Sequence, residues 1–312
     1  MRLALKVDVR TVRGALVGVP RLAELFRRYG AGASFFLCPG PDRSGRAIRS
    51  TLRPDVLRLA GAGSLRSNYG LAQLLYGTLL PSPAIGRRCA AVLREVRAAG
   101  FEFGVQAWDA VAWHARAATA DAAWTLDQMR RAREGYERLF GERPAAHAAP
   151  DWQMNIDALR LTQRLGFDYA SDCRGTHPFV PVHRAEIVAC PQIPTTLPTL
   201  DELIVQDGAT LDTLHERLLA LTADAGEFGH VFTLRAELDG IVLAPIVERL
   251  LDGWAGQGYR LSSLREVAGD LAQDALPRHE MTGGEVAGRS GALALQGAEF
   301  LPLSFVTGGA FQ

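Results

Sequence analysis

The feature that most constrains the fold is a steady alternation of short strand-like and longer helix-like segments. Residues 3–9 alternate apolar and polar side chains, residues 21–29 carry helical periodicity, and residues 33–37 form a short apolar run. The rhythm continues with a helix at 90–99, a strand at 101–106 and a long amphipathic helix over 124–140, laced with i,i+4 charge pairs. Further strands are expected at 145–149, 167–171, 186–193 and 230–235, and further helices at 155–165, 211–223 and 243–254. Such βα units, joined without a clear linker, predict one α/β domain around a parallel sheet, barrel or doubly wound. No G-x-G-x-x-G string follows the first strand and no Walker loop is present, which disfavours the nucleotide-binding version. In a barrel, the working residues belong at the C-terminal ends of the strands.

Two segments break the rhythm. Residues 49–86 carry several arginines and then an apolar run, 71–80, ending at Pro81. They read either as a helical excursion packed on the barrel or as an interfacial element with its arginines toward anionic lipid headgroups. The glycine-rich tail, 273–312, is expected to wrap the main domain, 1–272, as extended coil or to lack order in part.

Charge and cysteine content narrow the function classes. The 312 residues include 34 acidic and 34 basic side chains, a balance unlike that of a general nucleic-acid binder. No run of 18 uninterrupted apolar residues suggests a spanning helix, and charges at Arg2, Lys6 and Asp8 leave no room for a signal-peptide apolar core. Cys38, Cys89, Cys173 and Cys190 are widely spaced without a C-x-x-C pair, the pattern of reduced cytoplasmic thiols.

Several strings together resemble one family. They are Asp8-Val9-Arg10-Thr11 leading into Gly18-Val19-Pro20-Arg21-Leu22, Ala33-Ser34-Phe35-Phe36, Gln106-Ala107-Trp108-Asp109, Ser171-Asp172-Cys173-Arg174-Gly175, and Gln192-Ile193-Pro194-Thr195-Thr196-Leu197-Pro198-Thr199. In order and spacing, over about residues 2 to 270, the chain resembles the polysaccharide-deacetylase (NodB-like) superfamily. Its Ser-Asp-Cys-Arg-Gly and Ile-Pro-x-Thr-Leu-Pro-Thr strings are similar to those of the formamido-arabinose-phosphoundecaprenol deformylase branch. The resemblance implies a single distorted (β/α) barrel with a divalent metal at the strand ends, where a formyl or acetyl group leaves an amino sugar. It further implies an Asp-x-Asp motif whose first aspartate is the general base, with the second holding the metal beside a His-x-x-x-His pair. A later strand supplies a histidine as general acid. In such a set the metal polarises the amide carbonyl while the acid and base move protons.

Position by position, most of that set is missing. Asp8 keeps the base position, but the second aspartate is Arg10, and the His-x-x-x-His string reads Gln106-Ala107-Trp108-Asp109-Ala110. The general-acid position is Arg235, and a family arginine after a tryptophan becomes Gln153 after Trp152. A guanidinium stays charged at every accessible pH. Two unit charges about 4 Å apart repel by roughly 4 kcal/mol at an effective dielectric of 20, and a dication doubles this. The ancestral metal site is therefore expected to be lost, with no cofactor in its place.

Lys6, Asp8 and Arg10 share one face of the first strand, and Arg235 is expected to enter the same mouth. The arginines either neutralise Asp8 and Asp109 or also hold an anion such as the phosphate of a lipid-linked sugar. Trp108, Trp113 and Trp152 could offer faces for a sugar ring. Candidate substrate-binding residues are thus Arg10, Gln106, Trp108, Asp109, Ala110, Trp152, Arg174 and Arg235, around a vestigial base, Asp8. His114 and His147 are the nearest imidazoles for a relocated site, while His177, His183, His215, His230 and His279 read as scattered surface groups.

The function expected is that of a catalytically degenerate, non-catalytic binding or partner protein in lipid A or related glycolipid modification. The alternative is an active amino-sugar N-deacylase using Asp8 and a relocated site. Expected partners are an undecaprenyl-linked amino sugar, an active deacetylase paralogue and a membrane surface, with no nucleic acid. The expected location is the cytoplasm, at most peripheral to the inner face of its membrane.

Overall fold

A computed structural model of the chain describes residues 1–47, 75–205, 210–224, 226, 228–272 and 275–301. Its centre is β1 (Arg2–Val9), buried along almost its whole length. The strand's alternation explains this. Leu3, Leu5, Val7 and Val9 join the large core under the outer helices, whereas Ala4 faces a second apolar cluster with Phe36, Ala146, Tyr169, Ile193 and Val231. With period-2 side chains, Lys6, Asp8 and Arg10 continue the Ala4 row toward the C-terminal mouth.

Around β1 run β2 (Ser34–Leu37), β3 (Glu102–Val105), β4 (Ala146–His147) and β5 (Tyr169–Ala170) on one side and β8 (His230–Arg235) on the other. All these pairs are parallel, and β9 (Arg260–Ser262) pairs with the start of β1. The sheet curls into a half-barrel. Between β5 and β8 the gap is bridged by irregular backbone. Ile193 N–H donates to the Ala170 carbonyl, and Thr196 and Leu197 N–H donate to that of Val231. This is the fold implied by the family resemblance.

The helices follow from local sequence. Val19–Arg28 turns Leu22, Leu25 and Phe26 inward, burials worth about 1.5–3 kcal/mol each. Asp121 caps Ala122–Phe140 by accepting from Trp124 N–H, and Gly141 ends that helix at φ 80°. Immediately before Val19–Arg28 lies a π-helical turn, Gly14–Gly18.

Two expectations need revision, and a third falls mostly outside the described residues. Of residues 186–193, only β7 (Glu186–Ile187) is strand, and it pairs antiparallel with β6 (Val180–His183), outside the barrel. The tail is not plain coil: β10 (Arg278–Gly284) and β11 (Leu293–Glu299) form an antiparallel hairpin whose first strand pairs with β6. Tertiary pairing there overrides the low strand propensity of glycine. Of residues 49–86, the stretch 49–74 lies outside the described residues. The described remainder includes a turn with Leu79 81% exposed. Among the described residues no helix is long and apolar enough to cross a membrane.

Candidate functional site

The mouth of the half-barrel is filled by an ion-pair network. Asp8, at the end of β1, is 3% exposed. Arg10 follows it, with its guanidinium 2.6 Å from Asp151 and 3.9 Å from Asp8. Arg235, at the end of β8, reaches Asp201 at 2.7 Å. Arg174, beyond β5, contacts both carboxylate oxygens of Glu202 at 2.8 and 3.0 Å and donates to the Leu197 carbonyl. Arg289, on the connection between β10 and β11, completes the set. It lies 2.6 Å from Glu202, 3.3 Å from Asp201 and 3.6 Å from Asp151, and donates to Thr199 Oγ1.

Burial makes these pairings obligatory, because an unpaired buried charge is costly. Burial alone would raise the Asp151 carboxyl, but Arg10 and Arg289 hold it well below the usual carboxylate range. Asp201 is likewise lowered against its burial by Arg235 and Arg289. On the other side of the mouth, burial pushes Asp239 up to about 7 and raises Glu237. Asp239 accepts the Arg235 backbone N–H at 2.6 Å.

Trp152 is the platform of the network. Arg174 and Arg289 lie over its ring at 4.8 and 4.9 Å, and Lys6 lies 5.7 Å away. It is 2% exposed, so guanidinium planes cover a ring expected to be available to a sugar. Asp151 and Trp152 both adopt positive φ, 52° and 55°. Non-glycine residues seldom do so, and such strain gathers at special sites. Lys6 sits deeper, donating to the Ser171 carbonyl at 2.6 Å, its pKa lowered by burial.

The other expected residues lie outside this ion-pair network. Gln106 is fully buried, its Oε1 accepting from the Cys38 thiol at 3.4 Å, while its Nε2 lacks a hydrogen-bond partner. Asp109 is not neutralised by Arg10 or Arg235. It caps the helix Ala110–Arg116, accepting from Val111 and Ala112 N–H, and pairs with Arg43 at 2.7 Å. Trp108 and Asp109 line a neighbouring cleft of about 480 Å³, where Arg131 covers the Trp108 ring. Trp113 is core: it is 0% exposed and donates to the Gln153 carbonyl. His147 is buried, with its Nδ1 2.7 Å from Asp172 and its Nε2 without a hydrogen-bond partner. His114 does approach the mouth, with Nδ1 3.7 Å from Asp151.

The sequence reading missed Asp151, Asp201, Glu202 and Arg289. A signal existed for two of them. Thr199-Leu200-Asp201-Glu202 has the spacing of a capping box, and Thr199 and Glu202 form one at the start of Leu200–Ile204. That pins Asp201 and Glu202 at the mouth. Arg289 had no such signal, since its placement depends on a hairpin that local propensity does not predict.

This donor set does not suit the divalent metal implied by the family. The three ligand positions carry a guanidinium, a carboxamide turned toward Cys38, and a methyl group. Hard or borderline dications need carboxylates, imidazoles or thiolates there. Among the described residues no group of three or more His, Cys, Asp or Glu side chains has a metal-holding arrangement.

No family model matches the chain. Over 250 residues, 80% of this chain and 80% of its relative, it is 36% identical to a protein of Shewanella sediminis described as "Probable 4-deoxy-4-formamido-L-arabinose-phosphoundecaprenol deformylase ArnD". A Wigglesworthia glossinidia brevipalpis protein of the same description is 26% identical over 286 residues, 91% of this chain and 98% of the relative. The fold is similar to that of a crystal structure described as a "putative polysaccharide deacetylase" from Mycobacterium smegmatis. The TM-score is 0.59 at 17% identity, covering 91% of this chain and 95% of the other. By sequence and by fold, this chain belongs to the ArnD deformylase branch of the polysaccharide-deacetylase (NodB-like) superfamily.

Proposed function

We propose that the chain is a catalytically degenerate member of this branch, a non-catalytic binding or partner protein in the modification of a lipid-linked amino sugar. One observation carries the reading. The guanidinium of Arg10 stands where the family's second aspartate would be, locked to Asp151 at 2.6 Å beside Asp8. The imidazole positions hold Gln106 and Ala110, and the general-acid position holds Arg235, paired to Asp201. Asp8 thus retains a carboxylate without a metal-activated water to work on. Candidate partners remain an undecaprenyl-linked amino sugar, an active deacetylase paralogue and the inner membrane surface, toward which exposed Leu79 and the nearby Arg87 and Arg88 could turn.

One contact favours a second reading, an N-deacylase with a relocated site. His114 lies 3.7 Å from Asp151, an imidazole and a carboxylate within one side-chain shift of a hydrogen bond. Release of formate or acetate from a lipid-linked formamido or acetamido sugar separates the two. The wild-type protein is expected to show no turnover above buffer, with or without added zinc, and Asp8→Asn and His114→Ala are expected to match it. Turnover in the wild type that either substitution abolishes would establish the relocated site instead.

A further inference from the structure

His177 and His279, far apart in sequence, meet where the tail hairpin joins the body. Their Nε2 atoms are 3.1 Å apart and their ring centroids 4.9 Å apart, with the planes at 73°. His279 is 9% exposed and packs edge-on against Phe179, while Phe228 stacks on His177. They are not the scattered surface groups their sequence positions suggest.

The hydrogen-bond network assigns the protons. Gln296 Oε1 faces the Thr176 backbone N–H at 2.7 Å and the His177 N–H at 3.4 Å, so its orientation is fixed and its NH₂ is the group 3.1 Å from His177 Nε2. His177 Nε2 therefore accepts there, while its Nδ1 meets Thr176 Oγ1 at 2.9 Å. His279 Nδ1 lies 3.0 Å from the Gly297 carbonyl, which can only accept. That nitrogen is a donor, which in the neutral ring leaves the lone pair on His279 Nε2. Two acceptor nitrogens thus approach within 3.1 Å, one of them already engaged by the Gln296 amide, an arrangement that a cation displacing the amide would satisfy.

A shared proton fits the geometry poorly. With a ring centroid about 1.2 Å behind each nitrogen, a hydrogen bond along both lone-pair axes would separate the centroids by roughly 5.4 Å, more than the 4.9 Å found. A metal fits both distances at once. Bonds of about 2.05 Å from each Nε2 to a common point, at an angle of roughly 100°, reproduce the two separations. The second contacts also match. A ligating histidine commonly donates its other N–H to a backbone carbonyl, as His279 does to Gly297.

We propose that His177 and His279 form a two-imidazole site for a divalent transition cation of the zinc class, with water completing the coordination. The cation replaces the Gln296 NH₂ contact at His177 and staples β10 to the loop after β5. The site lies at the base of the hairpin whose tip delivers Arg289, and it is separate from the ancestral position at Arg10, Gln106 and Ala110.

Calorimetric titration of chelator-treated full-length protein with zinc chloride tests it. One equivalent is expected to bind the wild type, with affinity reduced at least tenfold in His177→Gln and in His279→Gln but unchanged in His114→Ala and Gln106→Ala. Absence of binding to the wild type, or undiminished binding in both histidine variants, would overturn the proposal. Should the variants misfold, zinc-edge X-ray absorption of the loaded wild type decides. Two imidazole nitrogens at about 2.0 Å are expected, and a spectrum without imidazole scattering would overturn it.

Discussion

Replacing Asp151 by alanine is expected to lower the unfolding free energy by about 3–5 kcal/mol, the usual cost of stranding a buried charge. Its carboxylate faces Arg10 at 2.6 Å and Arg289 at 3.6 Å, and those two guanidinium groups are each 10% exposed. Without Asp151, Arg10 keeps Asp8 at 3.9 Å and the charge of Glu237. Alanine adds a smaller backbone cost, because position 151 has φ 52° and aspartate tolerates the left-handed region better. Asp151→Asn separates the two contributions: it retains that backbone tolerance and removes the charge. Chemical denaturation is expected to place the asparagine variant near the alanine variant. An asparagine variant as stable as the wild type would mean that the pairing contributes little.

The charge argument also sets the sign of the pH response. Asp151 and Asp201 are held below their ordinary values. Their contribution is therefore present above the unfolded carboxylate pKa, about 3.9, and is lost as pH falls through the folded values. Asp239 and Glu237, raised by burial, act oppositely. Their folded forms favour the proton, and they weaken the fold as pH rises past the unfolded value toward the folded one.

Gly18→Ala is expected to destabilise the protein by about 3 kcal/mol or more, at the upper end for overpacking. A Cβ at this position would stand 1.8 Å from the Ala236 carbonyl oxygen and 2.5 Å from its carbon. Both are backbone atoms that cannot rotate away. The π-helical turn Gly14–Gly18 presses this glycine against the chain leaving β8, where Ala236 N–H donates to the Asp8 carbonyl. Alanine must push Ala236 outward, lengthening that hydrogen bond and shifting Arg235 from Asp201. A urea midpoint equal to the wild type's would show that the backbone yields without cost.

How far the sequence could be read follows from which forces are local. The period-2 pattern of residues 3–9 and the helical pattern of 124–140 mark elements whose burial matches their own periodicity, and both formed close to expectation. Shared-face reasoning likewise placed Lys6, Asp8 and Arg10 on one row, because strand geometry alone decides it. What failed was non-local. The hairpin of β10 and β11 exists because β6 offers an edge, and nothing in a glycine-rich tail announces that partner. Arg289 and the meeting of His177 with His279 depend on that hairpin and stayed hidden with it. Asp109 has a local role that its motif did not suggest. Its position beside a motif suggested chemistry, and its place before Ala110–Arg116 also makes it a helix cap.

The central claim is that the mouth is closed to a dication because Arg10, paired with Asp151, stands in the ancestral ligand position. The most direct measurement is an anomalous-difference map from crystals grown with excess zinc. The account predicts no peak between Asp8, Arg10 and Gln106, with guanidinium density there instead. A peak in that space, ringed by protein oxygen or nitrogen donors, would contradict it.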